Sequence, residues 1–205
     1  MRLLTNWGYT LTDVNVIPDM MEDWEYTQFT GRNDDPIRVS AELSAACAAI
    51  QNYVGWHLYP SLSCSFETII RDRRIIRTGR DMIIQLPARY VTDISSVTIG
   101  GKTYEDYHND PSGLLTVFNV FCAERNAKVI VEYVAGLPEE LMSPIKELIA
   151  HRVTHSMAVP AGVTSEASGG VSVTYNATWI NNSRATALAG DNKELLTPYK
   201  VQGVF

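Results

Sequence analysis

The order of apolar and polar positions divides the chain into a helical beginning, a β-rich middle and a helical end. Residues 18–30 begin with a proline, carry acidic side chains early and are followed by Gly31, a pattern that predicts a short helix. The preceding residues 1–17 mix apolar and polar positions without a period, so no element is predicted there.

A second, longer helix is predicted after the polar turn that follows. Apolar side chains recur at spacings of three and four between Val39 and Val54, which gives one broad apolar face. Asp34 or Asp35 can cap this helix, and the proline that follows them suits a first helical position. Gly55 provides a natural end.

From about residue 61 to residue 135 the period changes to two, which predicts a series of strands joined by short turns. The predicted strands are 62–70, 74–77, 82–86, 91–99, 103–107, 114–121 and 127–135. The pair Gly100-Gly101 supplies the positive φ angles of a two-residue hairpin turn, and residues 110–113 (Asp-Pro-Ser-Gly) mark a further turn. Consecutive strands with short turns predict an antiparallel β-meander.

Helical spacing returns at residues 138–158, where Pro144 predicts either a kink or a late start. Residues 163–178 are rich in Gly, Ser and Thr with one alternating strand, and we expect this arm to order only in an assembly. Residues 182–196 are weakly helical.

The order of elements predicts an α+β fold: a helical core of two N-terminal helices plus a long helix, with an antiparallel β-meander insertion and an extended C-terminal arm. The corresponding division is an N-terminal segment with a short helix (1–33), a core of helix, β-meander and helix (34–160), and an extended arm with a docking tail (161–205).

The composition is that of an ordinary globular chain of 205 residues, with 45% hydrophobic and 20% charged residues. The three cysteines, Cys47, Cys64 and Cys122, form no CxxC pair, so we expect free thiols in a reducing compartment. The first ten residues do not resemble a secretory signal, and no run of about 18 apolar residues predicts a membrane span.

The formal net charge of −6 argues against a protein that binds nucleic acid over its whole surface. Five arginines nevertheless crowd one hairpin: Arg71, Arg73, Arg74, Arg77 and Arg80. One interpretation is a basic contact loop for phosphate or for a partner's carboxylates, because guanidinium groups pair with both in a bidentate way. The favoured interpretation is a solvated turn whose charges flank buried Ile75 and Ile76.

Glu147, His151 and His155 stand four residues apart on the helix predicted at 138–158. Two histidines at this spacing can bind zinc, but the HExxH order is missing and no third ligand lies nearby in sequence. A surface stripe is favoured over a metal-dependent enzyme. No G-x-S-x-G, GxxxxGK[ST] or GxGxxG motif occurs, so no catalytic residue, metal or cofactor is predicted.

Residues 192–205, NKELLTPYKVQGVF, are apolar for a segment at a chain end. Such a segment packs either on its own core or on a partner, and the sequence alone leaves both open. The residues that would contact a partner are Leu195, Leu196, Pro198, Tyr199, Lys200, Val201, Val204 and Phe205. We call residues 195–205 the docking segment.

Several strings follow one another in a familiar order: AAIQNYVGWHLYPS, then IIQLPARYVTDISSVTIGGKTY, then VIVEYVAGLPEEL, IKELIAHRVTHS and GVTSEASGGVSVTY. In their order and spacing the chain resembles the head–tail connector (adaptor) proteins of long-tailed bacteriophages, over roughly residues 35–202. It departs from that pattern in the arginine-rich hairpin, in residues 1–33 and at Arg89-Tyr90, where the family often has prolines.

The resemblance implies a structural virion protein without catalysis, made in the host cytoplasm and located in the neck at the portal vertex. It implies a homo-oligomeric ring of about twelve copies that binds the portal protein, extends the DNA channel and carries the next neck or tail-completion protein. Twelve copies would carry a charge of roughly −70, which lets DNA slide past without sequence-specific binding. The docking segment would then bind the portal or a neighbouring copy. The alternative is a DNA-packaging accessory that binds DNA through the Arg71–Arg80 hairpin.

Overall fold

The structure is a computed structural model of the chain, and it describes residues 2–12, 14–120, 124, 126–158, 165–168, 171–174 and 190–201. The described residues form α-helices and antiparallel β-sheets, in agreement with the predicted α+β class. The helices are α1 Asp23–Thr30, α2 Pro36–Val54, α3 Ser143–Ala158 and α4 Gly190–Leu196.

Helix α1 begins later than the sequence predicts. It starts five residues after Pro18, because Glu22 precedes its first turn and the backbone N–H of Glu22 donates a hydrogen bond to Oε2 of Glu25 at 2.9 Å. The helix ends as predicted at Gly31, which has a left-handed φ of 64° and donates its N–H to the carbonyl of Thr27 at 2.9 Å.

Helix α2 begins at the predicted proline, and Oδ1 of Asp35 accepts a hydrogen bond from the N–H of Ile37 at 3.2 Å. Its apolar face is buried from Val39 to Val54, and Gly55 follows with a φ of 83°. Helix α3 takes the late start that Pro144 allows, after a 3₁₀ turn at Glu139–Leu141.

The larger sheet has six strands in the order β1-β2-β3-β10-β6-β7. These strands are β1 Arg2–Leu4, β2 Thr10–Thr12, β3 Leu62–Ile69, β6 Val91–Ile99, β7 Lys102–Thr103 and β10 Lys128–Ala135. Strand β10 lies between β3 and β6 and is antiparallel to both. Its alternate residues Val129, Val131, Tyr133 and Ala135 are buried, so β10 forms the centre of this sheet.

The smaller sheet has four strands in the order β4-β5-β9-β8. These strands are β4 Ile75–Thr78, β5 Asp81–Gln85, β8 Tyr107–Asp110 and β9 Leu114–Val117. The remaining described strands, β11 Ser165–Ser168 and β12 Val171–Thr174, pair with each other as an antiparallel ribbon in the predicted arm, where the sequence predicts only one strand.

Two details of the predicted β region are wrong, and two further strands lie outside that region. The strands form two sheets instead of one meander, because a period of two fixes which face a side chain takes but not which strand lies beside it. The strand predicted at 103–107 is replaced by the short β7 and by β8, and β1 and β2 were not predicted.

The chain divides into two compact units that interleave along the sequence. The sheet unit comprises Met1–Pro18, Val54–Pro138 and Tyr199–Phe205, and the helix unit comprises Asp19–Tyr53 and Glu139–Pro198. The sequence instead predicted three consecutive segments, divided at residues 33 and 160. That division stays a prediction.

Two of the three cysteines are free thiols, as predicted, and both are buried. Cys47 lies in α2 and Cys64 in β3, and burial raises the pKa of each thiol to about 12. Neither is therefore a reactive thiolate at neutral pH. Cys122 lies outside the described residues.

One buried ammonium group ties α1 to α3 within the helix unit. Nζ of Lys146, in α3, lies 2.7 Å from Oε1 of Glu25 in α1 and 2.8 Å from Oε1 of Glu139. Burial alone would lower the pKa of Lys146, but its hydrogen bonds to Glu139 and Glu25 raise it overall. Lys146 therefore stays charged while its side chain is only 8% exposed.

We expect Lys146→Met to destabilise the helix unit by about 2–3 kcal/mol, because the change leaves the half-buried carboxylate of Glu25 without its cation. The matched control is Glu139→Gln. Its side chain is 60% exposed, and its loss is expected to cost less than about 1 kcal/mol. Urea titration monitored by circular dichroism measures both values. Equal costs for the two variants would contradict the assignment of Lys146 as the buried tie.

Candidate partner-docking site

The docking segment begins at the end of α4. Leu195 is 41% exposed, whereas Leu196 is fully buried. The hydroxyl of Thr197 donates to the carbonyl of Lys193 at 2.7 Å, and a 3₁₀ turn at Thr197–Tyr199 carries the chain onward. Two neighbouring leucines are thus fixed in different environments.

Tyr199, Lys200 and Val201 lie in a cradle on the sheet unit. Four residues form this cradle: Val54, Trp56, Arg89 and Tyr90. Nε1–H of Trp56 donates to the carbonyl of Tyr199 at 2.8 Å. Arg89 donates to the carbonyl of Lys200 at 3.3 Å. The N–H of Val201 donates to the carbonyl of Val54 at 3.0 Å. All three hydrogen bonds reach the main chain of the docking segment, so the cradle holds its backbone.

Aromatic rings add the side-chain part of the cradle. The ring of Tyr90 lies between two others: its centroid is 6.4 Å from that of Trp56 and 6.4 Å from that of Tyr199. Tyr90 has a φ of 53°, which a residue other than glycine rarely adopts. Its N–H donates to Pro111 at 2.6 Å and its carbonyl accepts from Gly136 at 3.3 Å, and these bonds hold the unusual conformation.

A buried polar cluster around His57 packs against Trp56 of the cradle. The ring of Trp56 packs edge-on against that of His57, at 5.6 Å and 80°. His57 is fully buried, with Nδ1 2.8 Å from the hydroxyl of Tyr9 and Nε2 2.8 Å from the carbonyl of Ala135. Because a backbone carbonyl can only accept, Nε2 carries the proton and Nδ1 accepts from Tyr9. Burial lowers the pKa of His57 to about 4, so the ring is neutral.

The structure thus brings part of the predicted docking segment onto its own chain. Leu196 is buried, Tyr199 and Val201 are half-buried, and Leu195, Pro198 and Lys200 are exposed. Val204 and Phe205 lie outside the described residues. The apolar composition of this segment allows packing on its own core or on a partner, and the resemblance favours a partner; the main chain of Tyr199 to Val201 instead binds its own chain. Partner contact through the remaining residues stays a prediction.

The residues of the cradle were not predicted as a site. In the sequence, only Arg89 and Tyr90 stood out, because the chain departs there from the adaptor-like pattern. The structure shows that these two residues contact the docking segment.

The arginine-rich hairpin lies in the sheet unit, at the turn before β4 and the turn after it. Arg71, Arg73, Arg77 and Arg80 are exposed, whereas Arg74 is half-buried with its guanidinium group 5.6 Å above the ring of Phe66. Four of the five arginines are thus exposed, as the solvated-turn interpretation expects, although Arg77 lies within β4; Arg74 instead packs on the sheet. The expected burial of Ile76 is wrong: it is 55% exposed, while Ile75 is 9% exposed.

Asp72 organises the turn between these arginines. Burial would raise the pKa of Asp72, but hydrogen bonds from the Thr68 hydroxyl at 2.7 Å and the Arg74 N–H at 2.8 Å, together with neighbouring charges, lower it overall. Asp72 is therefore ionised and fixes the backbone that presents Arg71 and Arg73.

The predicted histidine stripe lies on α3. Nε2 of His155 lies 3.1 Å from Nε2 of His151, and burial together with His151 lowers the pKa of His155. Glu147 is exposed. Over the residues that the structure describes, no group of three or more His, Cys, Asp or Glu side chains could hold a metal ion. The stripe is an imidazole pair on the surface of a helix.

No helix in the described ranges is long and apolar enough to cross a membrane. The family model described as head completion protein matches residues 19–183, more than half of the chain. The match includes the cradle, the arginine-rich hairpin and the histidine stripe. No curated protein matches the sequence significantly.

Proposed function

Because the chain belongs to the head completion protein family, with a structural role at the phage head and neck, we propose that it works as a head–tail connector. In this proposal several copies form a ring, about twelve by the adaptor resemblance, and the ring binds the portal. The ring extends the DNA channel and carries the next neck or tail-completion protein. Family membership is the observation that carries the proposal.

The docking segment is the proposed contact with the portal. The cradle fixes Tyr199 to Val201 by three main-chain hydrogen bonds, and the exposed Leu195 and Pro198 stand close to them in the chain. Apolar side chains on a fixed backbone suit a docking contact, because little conformational entropy is lost when they bind. Val204 and Phe205 follow in the sequence and extend the apolar set.

The test removes partner contacts without removing the cradle contacts. Truncation after Lys193 would also delete Leu196 and Tyr199, so truncation after Val201 is the sharper variant, with Leu195→Asp as a second. Both are expected to weaken binding to the portal of the same phage at least about tenfold, while the melting temperature stays within a few degrees of wild type. Surface plasmon resonance on immobilised portal measures the binding.

The matched control is Leu114→Asp, because Leu114 in β9 is 41% exposed, the same fraction as Leu195. It is expected to bind the portal like wild type. Unchanged portal binding by both the truncated chain and Leu195→Asp would exclude the docking segment as the contact. Negative-stain images of wild type on the portal test the ring separately.

The alternative function, a DNA-packaging accessory, is favoured by one observation, the exposure of four arginines in the hairpin. It predicts salt-dependent retention of duplex DNA. Arg71→Ala with Arg73→Ala tests this alternative better than a variant at Arg74, because Arg74 packs on Phe66.

A further inference from the structure

Strand β4 forms one edge of the four-stranded sheet and pairs only with β5 within it. Ile76 pairs with Ile83 of β5, and Ile76 is 55% exposed. An apolar side chain on an exposed strand edge is a feature that monomeric proteins usually avoid. Here it marks a surface suited to contact with another molecule.

Arginines stand at both ends of this strand. Arg71 and Arg73 precede β4, and Arg80 follows it in the turn to β5. Neither Arg71 nor Arg73 forms an ion pair with a described residue. We call Arg71, Arg73, Ile76 and Arg80 the arginine edge. It combines exposed cations with one apolar side chain, so it suits an acidic and partly apolar partner.

The charge of the chain is unevenly divided between its two units. The helix unit contains 13 acidic and 6 basic residues, a net charge of −7, whereas the sheet unit contains 10 acidic and 11 basic residues, a net charge of +1. The negative charge of the protein is therefore a property of the helix unit. Each copy of the chain carries both a basic edge and a surface of opposite charge.

Within the helix unit, hydrogen bonds and ion pairs join a particular set of acidic residues. Nε1–H of Trp24 donates to Glu22 at 3.0 Å, and the N–H of Glu22 donates to Glu25 at 2.9 Å. Glu25 shares the ammonium group of Lys146 with Glu139. Lys146 thus pairs with two of these carboxylates, those of Glu25 and Glu139, while Asp23 and Glu140 lie beside them in the sequence.

Two exposed apolar side chains neighbour these carboxylates in the sequence. Trp24 is 61% exposed and Leu141, directly after Glu140, is 39% exposed. Exposed tryptophan is unusual on a free surface and frequent at the centre of interfaces. We call Glu22, Asp23, Trp24, Glu140 and Leu141 the acidic patch. It offers carboxylates to arginine and an indole face to a guanidinium group or to isoleucine.

We propose that the arginine edge of one copy binds the acidic patch of the next copy. The two surfaces differ and belong to different units, so the contact is head-to-tail, and repetition of such a contact closes into a ring when the rotation between copies allows it. The inference rests on the proposed ring and names the surfaces that build it. DNA is the less suitable occupant, because phosphate makes no use of Ile76 and Asp72 lies among the arginines.

The test reverses the charge of each surface in the full-length chain. The edge variant carries Arg71→Glu and Arg73→Glu, and the patch variant carries Asp23→Arg and Glu140→Arg. These side chains are exposed, and the substitutions leave Arg74, Glu25 and Lys146 in place. Each variant alone is expected to self-associate at least about tenfold more weakly than wild type, because like charges then face each other. An equimolar mixture is expected to recover association, because every contact between unlike copies again joins opposite charges.

Sedimentation velocity and mass photometry, with and without the portal of the same phage, measure association, and circular dichroism checks the fold of each variant. The control Arg2→Glu with Lys102→Glu makes the same charge change at exposed positions on β1 and β7 and is expected to assemble normally. Assembly of the edge variant like wild type, or no recovery in the mixture, overturns the inference while the ring stands. If wild type stays monomeric even with the portal, the ring fails too. Loss of duplex DNA binding with unchanged assembly assigns the edge to DNA instead.

Discussion

Gly136→Ala is expected to destabilise the sheet unit by at least about 3 kcal/mol, the upper end of what overpacking costs. A Cβ atom at Gly136 would overlap Cα of Ser61 and lie 2.6 Å from the backbone N of Ser61. Both are backbone atoms, so no side-chain rotation can remove the clash. The neighbouring bonds, from Leu137 N–H to Leu58 at 2.6 Å and from Gly136 N–H to Tyr90, would have to lengthen for the chains to separate.

The matched control is Gly79→Ala, in the turn between β4 and β5. Gly79 has a φ of 65° with nothing within 4 Å of a Cβ atom, so its replacement is expected to cost only about 1 kcal/mol, from backbone conformation alone. Urea midpoints monitored by tryptophan fluorescence measure both variants. Adding Ser61→Gly to Gly136→Ala removes Oγ at 2.6 Å but leaves Cα in place, so little recovery is expected. Full recovery would show that the side chain, and not the backbone, forms the barrier.

The glycines show which parts of the fold could be predicted from the sequence and which could not. The turn at Gly100-Gly101 was predictable, because two adjacent glycines favour one hairpin geometry, and both φ angles are positive at 59° and 80°. The bonds between Gly136 and Tyr90, or between Trp56 and Tyr199, join residues far apart in the sequence. No local preference encodes such pairs, so the cradle could be recognised only in the structure.

The arginine edge shows a different limit. The sequence predicted a basic turn beside buried Ile75 and Ile76, yet neighbouring residues of a strand point to opposite faces of its sheet. Both can be buried only where both faces are covered, and Ile76 is exposed. The sequence shows the alternation of side chains along β4, but it does not show that β4 lies at a sheet edge. The same position turns a solvated loop into a candidate interface.

The second large effect expected is a loss of stability on mild acidification, caused by His57. Its ring is fully buried between the hydroxyl of Tyr9 and the carbonyl of Ala135, and burial lowers its pKa from 6.5 to about 4. The unfolded chain therefore binds a proton at His57 below pH 6.5, and the folded chain does so only near pH 4. Stability is complete above pH 6.5 and falls as the pH decreases, because protons favour the unfolded state in that interval.

The free energy of unfolding is expected to drop by about 3 kcal/mol between pH 6.5 and pH 4, since one pKa unit corresponds to about 1.4 kcal/mol. Protonation would place a hydrogen on Nδ1, where Tyr9 now donates, so the two donors would oppose each other. Trp56 packs on this ring, so its fluorescence reports the transition and the fate of the cradle together. Urea titrations at intervals of half a pH unit measure the slope.

Two comparisons assign the slope to His57. His57→Gln is expected to be less stable at pH 7 but to lose most of the dependence between pH 6.5 and pH 4. His155 also has a lowered pKa but is less buried, so His155→Gln is expected to keep most of the slope. The pKa of Asp34 is lowered by Arg32, so Asp34 makes stability depend on pH only below about pH 3.8, where its stabilisation is lost. That range lies outside the interval. An unchanged slope in His57→Gln would assign the acid sensitivity to another group and leave the buried ring as a packing element alone.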